Sequence, residues 1–349
     1  MPLELIADQP GHAILRAYEE PPLQPDHVRI RSLFSSVKHG TELRGFRGTS
    51  ADTSARWDGE LRLHVRGEPV RAQFPMPLGN MCLGVVTEVG GRVSRLKVGD
   101  RVFSHFSLRE THTVQEQRVQ VAPEGVSPQS LMYWDPADFA VGGVRDGHVR
   151  LGDRVAVFGL GAIGQMVVQA ARLAGARWVI AVDPIERRRD AAARHGADLT
   201  LDPARGDAGV EVKRRTDTIG VDVAFETSGS SAALYDALRS ARYQGTVVST
   251  AYYVGPAHGL LLSGEWHRNR VSIVSSRACS EPLPDYGWDF ARIQSESLAL
   301  LVEGRLKADD LIDPIVPFAR AAEAYQEINE HPERSIKLGI DHTTEDSGR

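Results

Sequence analysis

Apolar and polar residues alternate over 28–34 (Val-Arg-Ile-Arg-Ser-Leu-Phe), the period-two pattern of a strand with one buried face. Further β-type runs at 83–89, 101–103 and 119–122 are separated by glycine and proline. Short strands spaced by turns predict a barrel or sandwich for the first third of the chain. Within it, 49–74 is polar, charged and without period, and reads as an excursion from that domain. The pattern changes near residue 150. Short continuous apolar runs at 155–158 and 178–182 suit strands buried on both faces. An apolar helix pattern covers 162–174, and an arginine-rich helix covers 186–195. Two more buried strands, 221–226 and 245–250, flank a helix at 232–241. Strand and helix alternating in this way predict an α/β fold with a parallel sheet between helices. The tail predicts helices at 295–303 and 319–328, an extended piece at 315–317, a closing strand at 335–340, and fraying over 343–349.

Length and composition narrow this picture. A chain of 349 residues suits two domains, and 42% hydrophobic with 25% charged residues excludes wholesale disorder. With 41 basic and 46 acidic residues the net charge is −5, which argues against a nucleic-acid partner. Two cysteines, Cys82 and Cys279, are too few for a disulfide scaffold or a four-thiolate zinc site, and read as inert buried thiols. The opening residues carry no signal-peptide pattern and no run approaches the roughly 20 apolar residues of a membrane span. The expectation is a cytoplasmic protein without a membrane partner.

The sharpest chemical signal is Gly159-Leu160-Gly161-Ala162-Ile163-Gly164, which ends one expected strand and opens an expected helix. Gly159 allows the tight turn, Gly161 lets backbone approach a diphosphate, and Gly164 lets helix and strand pack closely. The diphosphate would rest on amides at the positive helix end, which Ala162 and Ile163 begin. At the tip of the next strand stands Asp183. A carboxylate there accepts hydrogen bonds from ribose hydroxyls and repels a 2′-phosphate, which favours NAD over NADP. The competing reading assigns Arg187, Arg188 and Arg189 to a 2′-phosphate.

With this loop, the motifs Gly40-Thr41-Glu42, Gly143-Val144-Arg145-Asp146 ahead of Leu151-Gly152-Asp153-Arg154-Val155, and His267-Arg268-Asn269-Arg270 complete a pattern. The chain resembles the medium-chain dehydrogenase/reductase superfamily over nearly its whole length, and within it the branch that includes bacteriochlorophyllide dehydrogenase. The resemblance implies a GroES-like catalytic domain over 1–135 and 282–349, a Rossmann NAD-binding domain over 136–281, and a homodimer or homotetramer. It also implies that Arg188 lies near the adenosine ribose, that Thr227 and Ser228 face the nicotinamide half, and that Thr250, Ala251, Ser275 and Ser276 border the nicotinamide ring.

The departures from the family pattern bear on mechanism. Zinc-dependent members carry Cys-Gly-Thr-Asp where this chain has His39-Gly40-Thr41-Glu42, and Gly-His-Glu where it has Gly79-Asn80-Met81. Their Glu-Pro becomes Asp135-Pro136, and their four structural cysteines are absent. Asparagine and methionine are poor zinc donors, so no metal is expected, with His105 or His112 as the residues that could complete an unorthodox site. Acid/base work then falls to His39, with Thr41 passing the substrate proton and Asp135 orienting His39 or acting as base. Arg44 stands where many members keep a relay histidine, and a guanidinium does not shuttle protons. Plainer roles compete: His39 held by backbone, Thr41 in a turn, Asp135 as a helix cap. Tyr133, Trp134, Tyr252 and Tyr253 could line a pocket or simply pack. The expected activity is NAD-dependent interconversion of a secondary alcohol, such as a polyol, sugar or cyclitol, and its ketone, with a pigment-like alcohol as the rival substrate. The alternatives are a zinc-free quinone or enone reductase and a non-catalytic dinucleotide-binding protein.

Overall fold

A computed structural model of the chain describes residues 1–49, 55–66, 73–253, 257–277, 281–284 and 287–344. Cys279 lies outside them. The chain forms two compact units, Met1–Met132 with Ile312–Arg349, and Tyr133–Leu311.

The first unit opens with β1 (Leu3–Gln9), β2 (His12–Ala17) and β3 (His27–Ser36), then α1 (His39–Phe46). A hairpin of β4 (Ala55–Asp58) and β5 (Leu63–Arg66) follows, then β6 (Met76–Pro77), β7 (Met81–Val89), β8 (Arg101–Ser104), β9 (Thr111–Gln115), β10 (Gln120–Val121) and α2 (Pro128–Leu131). The strand expected at 28–34 is β3: Val28 and Ile30 point into the core on alternate positions. The stretch 49–74, read as lacking period, contains the β4–β5 pair. Its apolar residues Trp57, Leu63 and Val65 are largely exposed. No core-facing alternation marks it in the sequence for that reason.

The second unit runs α3 (Trp134–Asp146), β11 (Arg154–Phe158), α4 (Ala162–Leu173), β12 (Trp178–Val182), α5 (Glu186–Arg194), β13 (Leu199–Leu201), α6 (Ala208–Arg215), β14 (Val221–Glu226), α7 (Ser231–Ser240), β15 (Ala241–Ser249), β16 (Ser272–Ser275) and α8 (Phe290–Val302). Its six strands are all parallel, in the order β13-β12-β11-β14-β15-β16. This is the doubly wound arrangement whose order reverses between β11 and β14. Ala156, Phe158, Ile180, Val182, Ala224 and Val247 fill the core beneath the helices, which explains why these strands read as continuous apolar runs.

This unit extends further along the chain than the boundary 281/282 expected from sequence. The indole of Trp134 donates to the carbonyl of Gln294 at 3.0 Å, and the phenol of Tyr133 donates to that of Leu311 at 2.9 Å. Gln169 exchanges two hydrogen bonds with the backbone of Lys307. These ties seat 290–311 against α3 and α4.

The chain then re-enters the first unit with β17 (Ile315–Pro317), α9 (Ala321–Glu330) and β18 (Gly339–Asp341). Its main sheet runs β10-β8-β7-β3-β18-β17, with β9 also paired to β3; β2-β1-β6 form a smaller sheet. The closing strand is shorter than the expected 335–340. Residues 335–338 spend their backbone on an isolated bridge between Asp313 and Lys337, and the Leu338 amide bonds a side chain of α1. Leu5, Phe46, Leu78, Tyr325, Leu338 and Ile340 form the core beneath α1 and α9.

Candidate functional site

Strand register in the second unit lines the expected cofactor residues along one edge of the sheet. Phe158 pairs with both Val182 and Glu226, Glu226 with Ser249, and Ser249 with Ser275. The carboxyl ends of the strands therefore bring together Gly159, Asp183, Thr227, Thr250 and Ser276 in the loops just beyond them, where open α/β sheets bind ligands.

The glycine loop is built by close contact. Gly159 has φ +89°, and a side chain there would meet Ser228 at 2.8 Å. A Cβ on Gly164 would come within 1.9 Å of the Gly159 carbonyl oxygen, so only glycine lets α4 start so near β11. Gly161 differs, because nothing lies within 4 Å of where its Cβ would be. It is the N-cap of α4, no side chain caps that end, and Ala162 and Ile163 follow in the first turn with their amides uncommitted to helix bonds. Open space over an uncapped helix start fits a diphosphate.

Asp183 is 4% exposed. Its Oδ2 accepts from the Leu160 amide at 2.7 Å and its Oδ1 from the Ile185 amide at 2.8 Å, tying the β12 tip to the glycine loop. Each oxygen keeps a lone pair for a ribose hydroxyl. Among the arginines that follow, Arg189 is committed to the fold: it is buried, donates to the Asp183 carbonyl at 2.7 Å, and lies 3.6 Å from Asp202. Arg188 is half-buried, with desolvation pulling its pKa down and the Asp183 charge opposing that shift. Gln165, which sequence reasoning passed over, is fully buried and donates to the carbonyls of Leu160 and Arg188 at 3.0 and 2.8 Å. It joins the glycine loop to the first turn of α5.

On the far side of the switch point, Thr227 donates its hydroxyl to the Gly159 carbonyl at 2.6 Å, and Ser228 donates to Glu226. Both hydroxyls brace the loop. Thr250 is buried, with its amide on the Glu226 carbonyl at 3.0 Å, and Ala251 follows half-buried. Ser275 is exposed, while Ser276 is 7% exposed and its amide bonds the Ser249 carbonyl at 2.8 Å. Asp135 is 8% exposed in the first turn of α3, but Tyr133 holds the N-cap position, so the cap role is not the one it takes. Tyr133 and Trp134 pack inside this unit, Tyr252 is 57% exposed, and Tyr253 bonds Glu226.

In the first unit, His39 begins α1, and its Nε2 accepts the backbone N–H of Leu338 at 3.0 Å. The neutral ring then carries its proton on Nδ1. Thr41 is exposed one half-turn further on. Glu42 binds α1 to its surroundings: its carboxylate accepts from the Lys38 amide at 2.5 Å, the Gly79 amide at 2.8 Å and the Tyr325 hydroxyl at 3.2 Å. Burial pushes its pKa up, opposed by those donors and by the Lys337 charge. Lys337, 2% exposed, donates to the Val37 carbonyl at 2.6 Å.

At the positions that the family resemblance aligns with zinc ligands, the chemistry of the donors suits that ion poorly. The thioether of Met81 is fully buried in β7, Asn80 offers a carboxamide, and His39 Nε2 already accepts an amide. His105 is exposed, and His112 is buried in β9, its ring stacked on Phe106 at 4.4 Å. Among the described residues, no group of three or more His, Cys, Asp and Glu side chains is arranged to hold a metal ion. No helix of the described residues is long and apolar enough to cross a membrane.

A parallel sheet of this order, a glycine loop with an acid at the next strand tip, and a second β-rich unit define a dinucleotide-binding oxidoreductase. Residues 162–292 match the family described as zinc-binding dehydrogenase, and 50–174 match the alcohol dehydrogenase GroES-like domain. A D-guloside 3-dehydrogenase from Escherichia coli is 43% identical over 97% of this chain and 99% of its own length. A probable D-xylulose reductase A from Aspergillus clavatus is 27% identical over 73% of this chain and 77% of its own. The solved structure of 2R,3R-butanediol dehydrogenase from Bacillus subtilis shares the fold, with TM-score 0.75 and 23% identity over 98% and 99% of the two chains. The chain belongs to the medium-chain dehydrogenase/reductase superfamily of alcohol dehydrogenase-like oxidoreductases, with the GroES-like and Rossmann-type domains expected of it.

Proposed function

We propose that this protein oxidises a secondary hydroxyl of a sugar or glycoside to a ketone, using NAD and no zinc. The observation that carries the cofactor reading is the Asp183 carboxylate, anchored by the Leu160 and Ile185 amides at the tip of β12. A fixed anion there favours free ribose hydroxyls over a 2′-phosphate. The 43% identity to D-guloside 3-dehydrogenase supports a carbohydrate substrate, as does the polar neighbourhood of Glu42, Arg44 and Asn80.

The bound dinucleotide supplies the hydride acceptor. The chain's own residues do the rest. Amides of Gly161, Ala162 and Ile163 hold the diphosphate, and Asp183 with Arg188 orients the adenosine ribose. Thr227, Ser228, Thr250, Ala251, Ser275 and Ser276 form the strand-end wall for the nicotinamide half. Substrate-oxygen chemistry falls to His39, Thr41 and Asp135. With Nε2 engaged by Leu338, neutral His39 is a hydrogen-bond donor through Nδ1, suited to the oxygen as charge develops on it. Asp135, which only accepts when ionised, is the proton acceptor, and Thr41 passes the proton on.

The test combines metal analysis of the purified protein with binding of NADH and NADPH and turnover on a panel of sugars and glycosides. Zinc below a tenth of an equivalent, tighter NADH binding and NAD-linked oxidation of a glycoside are expected. Stoichiometric zinc removes the metal-free mechanism, and tighter NADPH binding removes the cofactor assignment.

A further inference from the structure

Two strands share one edge of β3. Strand β18 pairs with Phe34–Ser36 and β9 with His27–Arg31, while β7 runs along the opposite edge from Val28 to Ser36. They meet end to end: the His342 amide donates to the Leu33 carbonyl at 3.0 Å, and the Ser32 amide to the Glu110 carbonyl at 2.9 Å. Beside this junction a cleft of about 910 Å³ opens to solvent, lined entirely by residues of the first unit. Its volume lies in the upper part of the range of small-molecule sites.

Pro2, Leu3 and Phe318 give the cleft an apolar side. Its polar side mixes donors, acceptors and groups that are both. Arg31, which only donates, is exposed and makes no ion pair among the described residues. Glu110 offers a carboxyl group, one oxygen of which accepts from the Leu3 amide at 2.7 Å. Thr111 brings a hydroxyl, shared with that of Tyr18 at 2.5 Å. The His342 ring stacks on Phe318 at 4.6 Å and sets Nε2 2.9 Å from the Ser35 hydroxyl, while its Nδ1 is buried without a partner. Burial lowers the pKa of this ring to about 4, so at neutral pH it has one donor and one acceptor nitrogen. A buried polar atom left unpaired costs free energy that a bound partner recovers.

We infer that this cleft binds a carbohydrate, as one or two sugar rings. The formal charges of Arg31 and Glu110 cancel, so the lining presents no net field to a phosphorylated ligand or a metal ion. A purely apolar ligand would cover the guanidinium and the carboxyl group without partners. A sugar meets both conditions. Each of its hydroxyls donates and accepts, which matches the mixed lining, and the C–H faces of its ring suit the apolar side. The inference goes beyond the proposed oxidation: its residues take no part in that chemistry, and it stands whichever cofactor the second unit binds.

The experiment titrates methyl β-D-glucopyranoside, maltose and the zwitterion serine into wild type, Arg31→Ala and Ala319→Trp, by ligand-observed NMR without dinucleotide. Both substitutions fall on exposed residues of the cleft, and the added indole fills it without entering the core. At least one of the two sugars is expected to bind wild type, at least about tenfold more weakly to R31A, and not at all to A319W. NADH affinity should stay within twofold in both variants. Sugar binding that is unchanged in either variant lies elsewhere on the molecule and overturns the inference, as does absence of sugar binding to wild type. Binding of serine that depends on Arg31, with no such binding of sugars, overturns the ligand class. If thermal melting shows that A319W does not fold, R31A decides alone. Failure of wild type to bind any dinucleotide overturns the functional reading and leaves the sugar titration standing.

Discussion

The backbone N–H of Leu338 donates to Nε2 of His39, although 299 positions separate the two in the chain. The contact joins the segment before the closing strand to the first residue of α1, and it fixes the imidazole as the Nδ1-protonated tautomer. The ring's single neutral lone pair is thus committed to the fold, and its chemistry is that of a donor.

Replacing His39 with glutamine separates these roles. The longer carboxamide can put an oxygen where Nε2 now accepts from Leu338 but offers nothing at the Nδ1 position. His39→Gln is expected to lower kcat about 100-fold while leaving dinucleotide Kd within twofold. Steady-state kinetics and fluorescence titration check this. A variant retaining more than a tenth of kcat would assign His39 a structural role alone.

Gly161 and Gly164 lie three residues apart and answer differently to the same substitution. Gly164→Ala places a methyl 1.9 Å from the Gly159 carbonyl and is expected to destabilise the second unit by about 3 kcal/mol. Gly161→Ala meets no protein atom, so its melting temperature should stay within about 2 °C of wild type. Its methyl would occupy the space over the start of α4, and dinucleotide affinity should drop at least about tenfold. Calorimetry of both variants with and without NADH measures the pair. Undiminished affinity in G161A would mean that the diphosphate lies elsewhere.

These contrasts mark what the sequence could and could not convey. Strands β11, β12 and β14 were legible because burial on both faces leaves short runs dominated by apolar residues, and the glycine loop because tight packing excludes a side chain at Gly159 and at Gly164. Gln165 and Glu226 were not. A buried polar residue looks like any other until its partners are known, and those of Gln165 are carbonyls at Leu160 and Arg188 on two separate loops. Glu226 did leave one signal, a carboxylate directly after the apolar run Val223–Phe225. The late boundary at Leu311 was hidden for a similar reason. The pattern of α8 reveals an apolar face, but the bonds of Trp134 to Gln294 and of Tyr133 to Leu311 decide which core it covers.

His112 and His342 make stability depend on acid. Burial lowers the pKa of His112 to about 3 and that of His342 to about 4, against 6.5 when exposed. Both rings are therefore neutral in the folded protein, and the unfolded chain takes up their protons first. Their contribution to stability is fully present above pH 6.5 and is lost as the pH falls toward 4 and then 3. Urea unfolding at pH 7.5 and 4.5 should differ by about 2–5 kcal/mol from these two residues. His112→Phe, which keeps a ring against Phe106, should flatten the slope of stability against pH between 6.5 and 4.5. An unaltered slope would put the acid sensitivity on other groups.

Asp183 ties β12 to the glycine loop and, under the proposed function, selects NAD, so Asp183→Asn tests both roles in a measurable way. Its two oxygens accept from Leu160 and Ile185, so the carboxamide leaves one of those amides facing a donor. The expected loss of stability is about 1–3 kcal/mol. Removing the charge also lifts the repulsion felt by a 2′-phosphate, so the ratio of NADPH to NADH affinity should rise about tenfold. Binding isotherms for both reduced cofactors, measured where wild type and variant are equally folded, separate the two effects. A destabilised variant with an unchanged cofactor ratio would leave Asp183 as a tie between β12 and the glycine loop, and the choice between NAD and NADP would pass to the arginines that follow it.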